Sequence, residues 1–192
     1  MNGMWQMWEK RFSKQTCERI VSLAKLLPEA EAKIGSGEDS GKVNNEIRRS
    51  KLRWINGVMP DFKELYLDII DMFRESNRIA FGVDLWHLHE IQFTEYKAED
   101  QGFYNWHIDT MFQDPKPSQR KLSMVVQLSD PADYEGGQLE LQPWFMEPPP
   151  ADKLKNQGSV VVFPSLLHHR VTQVTKGTRY SLVAWMEGPT WR

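Results

Sequence analysis

An imidazole and a carboxylate two residues apart are half of a metal site. The stretch YNWHIDTMF, residues 104–112, holds His107 and Asp109 at that spacing. In an extended chain, residues i and i+2 point to one face, so both side chains can reach one object. Two imidazoles and one carboxylate on one face of Fe(II) leave coordination positions open for substrate and oxygen. A third ligand must come from elsewhere, and the chain has only five histidines: His87, His89, His107, His168 and His169. His168 and His169 are neighbours, and on a strand they face opposite ways, so at most one of them serves. Arg179 follows ten residues after His169, and Ser181 two residues after that. If 168–174 and 178–187 pair as a hairpin through TKGT, the guanidinium reaches toward the metal. An arginine fork grips a carboxylate through two parallel hydrogen bonds. A metal-chelating acid with a second, distal carboxylate fills that geometry.

Three longer stretches carry the pattern in order: FTEYKAEDQGFYNWHIDTMF, YEGGQLEL and VVFPSLLHHRVTQVTKGTRYSLVAW. With them, residues 86–188 resemble the Fe(II)/2-oxoglutarate-dependent dioxygenases, and more narrowly their PKHD-type, prolyl-4-hydroxylase-like branch. The resemblance implies His107, Asp109 and His169 as iron ligands, because the family's distal histidine directly precedes Arg-Val. It implies Arg179 as the partner of the distal carboxylate of 2-oxoglutarate, with Tyr96 of FTEY helping to bind that cosubstrate. Ser181 shares the face of Arg179 by alternation and would assist. The implied reaction spends O2 and 2-oxoglutarate, with ascorbate as an accessory reductant, to hydroxylate an unactivated C–H bond. A peptide, protein or small molecule is the implied substrate, with a prolyl side chain as first choice.

These residues need a scaffold. Ser13 is placed to cap a helix whose Ile20, Val21, Ala24 and Leu27 share one face before Pro28. A second helix follows Pro60, with Asp61 as its cap and Phe62, Leu65, Ile69, Phe73 and Ala80 as its buried stripe. Residues 35–46 are a Gly/Ser/Asn loop, expected to act as a lid. From residue 85 the apolar period becomes two. LWHLHEIQFTEY, KLSMVVQLS, GQLELQ, GSVVVFP, HHRVTQV and TRYSLVAWME read as strands, as does IRRSKLRWI earlier. Strands in this number must close or stack to hide their apolar faces. The expected fold class is α+β: a double-stranded β-helix, or jelly roll, with N-terminal helices packed outside. We expect one domain over 1–192, with 1–84 mainly helical support plus the mobile loop and 85–188 the jelly-roll core. Trp106, Phe112 and Trp185 are expected to wall the metal from water, and EGGQ to make a tight turn.

A net charge of −2 over 192 residues announces no nucleic-acid partner, although Arg48, Arg49, Lys51 and Arg53 form a local basic patch. One cysteine, Cys17, permits no internal disulfide, and MNGMWQMWEKRF has no signal-peptide core. No apolar run reaches membrane-spanning length. Cytoplasmic residence is the expectation. The ending MEGPTWR lacks the C-terminal helical extension of some PKHD-type members, which bears on dimerisation and substrate choice. Two other readings stand. HLH with Glu95 and Gly102 resembles a cupin metal motif using His87, His89 and Glu95, although five residues separate His89 from Glu95. Alternatively, the jelly roll is a binding module whose metal site is inactive.

Overall fold

The chain buries both faces of one large sheet, each with a different chemistry. A computed structural model describes residues 3–33, 41–110, 112 and 117–191. The elements are β1 (Gln6–Trp8), α1 (Lys14–Ala24), β2 (Arg48–Arg49), β3 (Lys51–Ile55), α2 (Lys63–Ser76), β4 (His87–Lys97) and β5 (Phe103–His107). There follow β6 (Ser118–Gln127), β7 (Tyr134–Gly136), β8 (Leu139–Leu141), α3 (Ala151–Leu154), β9 (Val160–Pro164), β10 (His169–Val171) and β11 (Val174–Pro189). The larger sheet runs β1-β9-β6-β11-β4-β3, with β7 joined to β11; the smaller runs β2-β5-β10-β8. Every pairing is antiparallel, and the two sheets form the expected jelly roll.

The helices cover the outer face of the larger sheet. Ser13 caps α1, its hydroxyl accepting from Thr16 N at 3.1 Å. Cys17, Ile20 and Ala24 then fall on one face by helical spacing and are buried. In α2, Leu65, Ile69, Met72 and Phe73 do the same. Both stripes join a core with Ile91, Phe93, Leu122, Met124, Leu182 and Ala184. Each large apolar side chain buried there contributes about 1.5–3 kcal/mol. Asp61 does not cap α2: Pro60–Phe62 forms a 3-10 turn that leads in, and no side chain caps the helix.

Strand alternation sends the intervening residues to the opposite, inner face. There stand Gln92, Thr94 and Tyr96 of β4, Ser123 and Gln127 of β6, and Arg179 and Ser181 of β11, all buried. A sheet face buried yet polar is costly unless its groups are paired. That contrast marks the inner face as a site and the outer face as the core.

Three further expectations change, and a fourth lies partly outside the described residues. β10 and β11 do not pair: β10 lies between β5 and β8, whereas β11 lies between β4 and β6, so no TKGT hairpin forms. IRRSKLRWI is two strands in different sheets, β2 and β3, and the supposed basic patch is partly interior because Arg48 and Arg53 are buried. Trp106 and Phe112 are 41% and 59% exposed and do not wall the site. The 35–46 segment lies outside the described residues up to position 40, so no lid is assigned from it.

Candidate metal centre

Two adjacent strands of the smaller sheet bring the two imidazoles together. His107 of β5 is the register partner of His169 of β10, and their ring centroids lie 4.1 Å apart. Asp109 follows where the chain leaves β5, pinned by its own N–H to Ser165 O at 2.8 Å. The donor atoms of His107, Asp109 and His169 all lie within 4.8 Å of one another. His107 Nε2 stands 3.8 Å from Asp109 Oδ1, and His169 Nε2 3.5 Å from Oδ2.

The other ring nitrogens decide which tautomer faces inward. His107 Nδ1 lies 2.7 Å from Asn105 O, and His169 Nδ1 2.9 Å from Leu167 O. Carbonyls only accept, so each Nδ1 carries a proton, and in the neutral ring Nε2 is then the nitrogen that presents its lone pair. The arrangement orients both imidazoles as metal ligands. Tyr104 stacks on His107 at 3.5 Å, and Phe163 meets His169 edge-on at 4.8 Å. Ser123 Oγ donates to Asp109 Oδ2 at 2.6 Å and lies 2.9 Å from Ser165 Oγ. A hydroxyl has one proton, so Ser165 must donate to Ser123.

The electrostatics favour the same protonation state. Burial and the neighbouring His169 hold the His107 pKa well below its usual value, so its imidazole is neutral. Burial alone would raise the Asp109 pKa. Both histidines, Arg120 and the Ser123 hydrogen bond more than offset it, and the carboxylate stays ionised. Two inward-facing Nε2 atoms and one carboxylate, buried and mutually close, fit a divalent metal ion with positions left open.

The centre opens into a cavity of about 370 Å³ between the sheets. Arg179, Ser181, Tyr96 and Trp185 line it, with Trp54, Arg48 and Arg120 on other walls. Arg179 is only 2% exposed. Its partners among the described residues are Ser181 Oγ at 3.5 Å and the face of Tyr96 at 5.6 Å. No carboxylate among the described residues pairs with it. Leaving a buried guanidinium unpaired costs several kcal/mol, on the order of 3–5, which an anionic ligand in the cavity would offset. Gly137, at φ +60°, makes room for it: a Cβ there would stand 3.0 Å from Arg179 Cδ.

The sequence reading therefore places His107, Asp109 and His169 in one cluster, with Arg179, Tyr96 and Ser181 in the adjoining cavity. His168 is exposed on the opposite face. The cupin set does not converge. His87 and His89 reach Glu187, at 3.5 and 3.3 Å, whereas Glu95 pairs with Arg53 at 3.2 Å. Sequence reasoning missed Ser123, Ser165 and Tyr104. A serine inside the apolar run KLSMVV was the only local signal for Ser123.

Residues 91–187 match the 2OG-Fe(II) oxygenase superfamily. A PKHD-type hydroxylase of Synechococcus sp. (strain CC9311) is 32% identical over 173 residues, which cover 90% of this chain and 73% of that protein. Against two other PKHD-type hydroxylases, from Crocosphaera subtropica and Pseudomonas fluorescens Pf-5, the matched part covers 58% and 38% of their length. In fold, the chain is similar to a Pseudomonas putida prolyl-4-hydroxylase (TM-score 0.72, 20% identity, 97% of this chain and 94% of that one). It is also similar to a Trichoplax adhaerens prolyl hydroxylase solved with a hypoxia-inducible-factor peptide (TM-score 0.73, 18% identity, 95% and 83%).

Proposed function

The chain belongs to the 2OG-Fe(II) oxygenase superfamily, and on that footing we propose that it hydroxylates an unactivated C–H bond, with a prolyl residue of a peptide or protein as the first candidate. One observation carries this reading: a buried, metal-ready His-Asp-His cluster shares a cavity with a buried guanidinium that has no carboxylate partner among the described residues. In this reading His107, Asp109 and His169 hold Fe(II). Arg179 takes the distal carboxylate of 2-oxoglutarate through a charge-assisted fork, with Ser181 and Tyr96 beside it. Iron bound there supplies the oxidation: one oxygen atom of O2 goes to 2-oxoglutarate, which leaves as succinate and CO2, and the other becomes the substrate hydroxyl. The protein's part is to hold the imidazole tautomers through Asn105 O and Leu167 O and to keep Asp109 ionised. Its aromatic walls keep water from the reacting carbon.

Proline comes first because the similar solved structures are prolyl hydroxylases by name. Ascorbate is the accessory reductant in this proposal, residues 1–192 make one oxygenase domain, and the cytoplasm is its compartment. No helix among the described residues is long and apolar enough to cross a membrane.

The test is Fe(II)-dependent conversion of 2-oxoglutarate to succinate. His107→Ala with Asp109→Ala is expected to abolish it, and His87→Ala with His89→Ala to leave it intact. Wild-type protein that binds metal and 2-oxoglutarate yet forms no succinate would instead be the inactive binding module.

A further inference from the structure

The cavity holds more positive charge than the cosubstrate can use. The buried Arg53 is paired: it meets Glu29 at 2.9 Å and Glu95 at 3.2 Å. Arg48 is as deeply buried, 5% exposed, and has no carboxylate among the described residues. Its Nε donates to Ser50 Oγ at 2.8 Å, one terminal nitrogen reaches Lys33 O at 3.4 Å, and the guanidinium lies 4.5 Å over the Tyr104 ring. Tyr104 in turn stacks on His107, so Arg48 stands just behind the metal cluster.

Arg120 lines the same cavity. Its guanidinium carbon lies over Trp185, 3.8 Å from the ring centroid. Asp109 and Glu187 act on it through space without forming an ion pair, and Arg48 is near enough to repel it. The two cations line one cavity, and like charges confined together persist only where something else offsets their repulsion. Each guanidinium lies over an aromatic ring, which restrains the planar fork, and among the described residues the second terminal nitrogen of Arg48 keeps its protons for a carboxylate oxygen. Trp185 packs against Trp54 at 6.3 Å, the rings tilted by 44°, giving an apolar wall beside these charges. Its Nε1–H is buried without an acceptor among the described residues.

We propose that Arg48 and Arg120 form an anion subsite for the primary substrate, so that the molecule hydroxylated here carries a free carboxylate, as an amino acid or the C-terminal residue of a peptide does. The proposal rests on the oxygenase reading. In that reading Asp109 and one end of the cosubstrate go to the metal, and Arg179 takes the other end. Among the described residues the other nearby carboxylates are engaged elsewhere: Glu31, which also lines the cavity, pairs with Lys33 at 3.6 Å, and Glu187 accepts from Ser118 Oγ at 2.7 Å. A cavity of about 370 Å³ lies near the small end of ligand sites. Shared with the cosubstrate, it suits a group of single-residue size, held by its carboxylate with its carbon frame against Trp54 and Trp185.

The test uses full-length protein loaded with Mn(II) and 2-oxoglutarate, with calorimetry and tryptophan fluorescence as readouts. The probes are amino acids including L-proline, each as free acid, as carboxamide and as the C-terminal residue of a glycyl dipeptide. At least one carboxylate form is expected to bind, and its amide about tenfold to a hundredfold more weakly, the loss expected for charge-assisted hydrogen bonds. In Arg120→Gln and Arg48→Gln the acid loses its advantage over the amide. If either variant fails to fold, the wild-type comparison of acid with amide still decides. Binding of the free acid alone assigns a small molecule; binding of the dipeptide assigns a chain terminus. Acids and amides that bind alike, or no acid that binds to protein already holding Mn(II) and 2-oxoglutarate, overturn the subsite alone. Failure of Mn(II) and 2-oxoglutarate themselves to bind overturns the oxygenase reading and the subsite with it.

Discussion

Ser123→Ala removes one oxygen atom from the support of the metal cluster. Ser123 is fully buried, and its hydroxyl donates to Asp109 Oδ2 at 2.6 Å, a short charge-assisted contact. Such a bond contributes about 1.5–3 kcal/mol. The methyl of alanine fits where the serine was, so no cavity or clash complicates the change. Asp109 remains tethered through its backbone, since its N–H still donates to Ser165 O at 2.8 Å. What it loses is the restraint on its side-chain torsion, and with that the pre-set angle of the ligand oxygen. Loss of a partner behind a metal ligand typically weakens metal binding about 10- to 100-fold, matching the free energy of the lost bond. Titration of metal-free protein with Mn(II), followed calorimetrically at neutral pH, reads this directly. Ser123→Thr keeps the hydroxyl and should recover most of the affinity. Ser165→Ala, one bond further out, should cost about 1 kcal/mol or less. A Ser123→Ala protein with a native circular-dichroism spectrum and wild-type Mn(II) affinity would refute the argument that this hydroxyl orients Asp109.

Arg179→Gln keeps bulk and polarity but removes the charge. The KM for 2-oxoglutarate should rise about tenfold or more while Mn(II) affinity stays near wild type, and equal losses in both would show a general collapse instead. Gly137→Ala places a Cβ 2.8 Å from Val174 Cγ2 and 3.0 Å from Arg179 Cδ, at a φ of +60°. The left-handed backbone alone costs about 1–2 kcal/mol, so the melting temperature should fall together with 2-oxoglutarate affinity; a KM unchanged in folded protein would sink the packing argument. In metal-free protein His107 is held neutral, its folded pKa lying below the ordinary 6.5. A depressed histidine contributes stability that is fully present above its unfolded pKa and lost as pH falls below it. Thermal stability of the metal-free form should therefore drop below about pH 6.5, with no His107 protonation in NMR spectra between pH 5 and 8. A His107 midpoint near 6.5 would contradict burial as the cause.

The parts of this protein decided within a few residues were legible in its sequence. His107 and Asp109 reach one point because Asp109 lies just past the end of a strand, two residues on. Alternation lets only one of His168 and His169 face inward, and the family resemblance, through the Arg-Val that follows, picked out His169. Ser13 caps α1 because an N-cap needs only its own first turn. The apolar residues of β4 and β11 alternate with Gln92, Tyr96, Arg179 and Ser181, so a two-faced sheet could be read directly. Strand β1 could not, because QMW is too short to show a period. What tertiary structure alone decided is which strands lie side by side. Arg179 approaches the metal cluster from the sheet opposite His169, because β10 and β11 separate instead of pairing. The free energy that separates them comes from covering two different sheet faces, a sum over the whole core that no local pattern encodes. For the same reason Asn105 O, Leu167 O, Ser123 and Ser165 could not be named in advance as the groups that orient the ligands, nor Arg48 and Arg120 as interior cations. Each is an ordinary residue until packing removes water and leaves its charge or hydrogen bond to be answered from across the cavity.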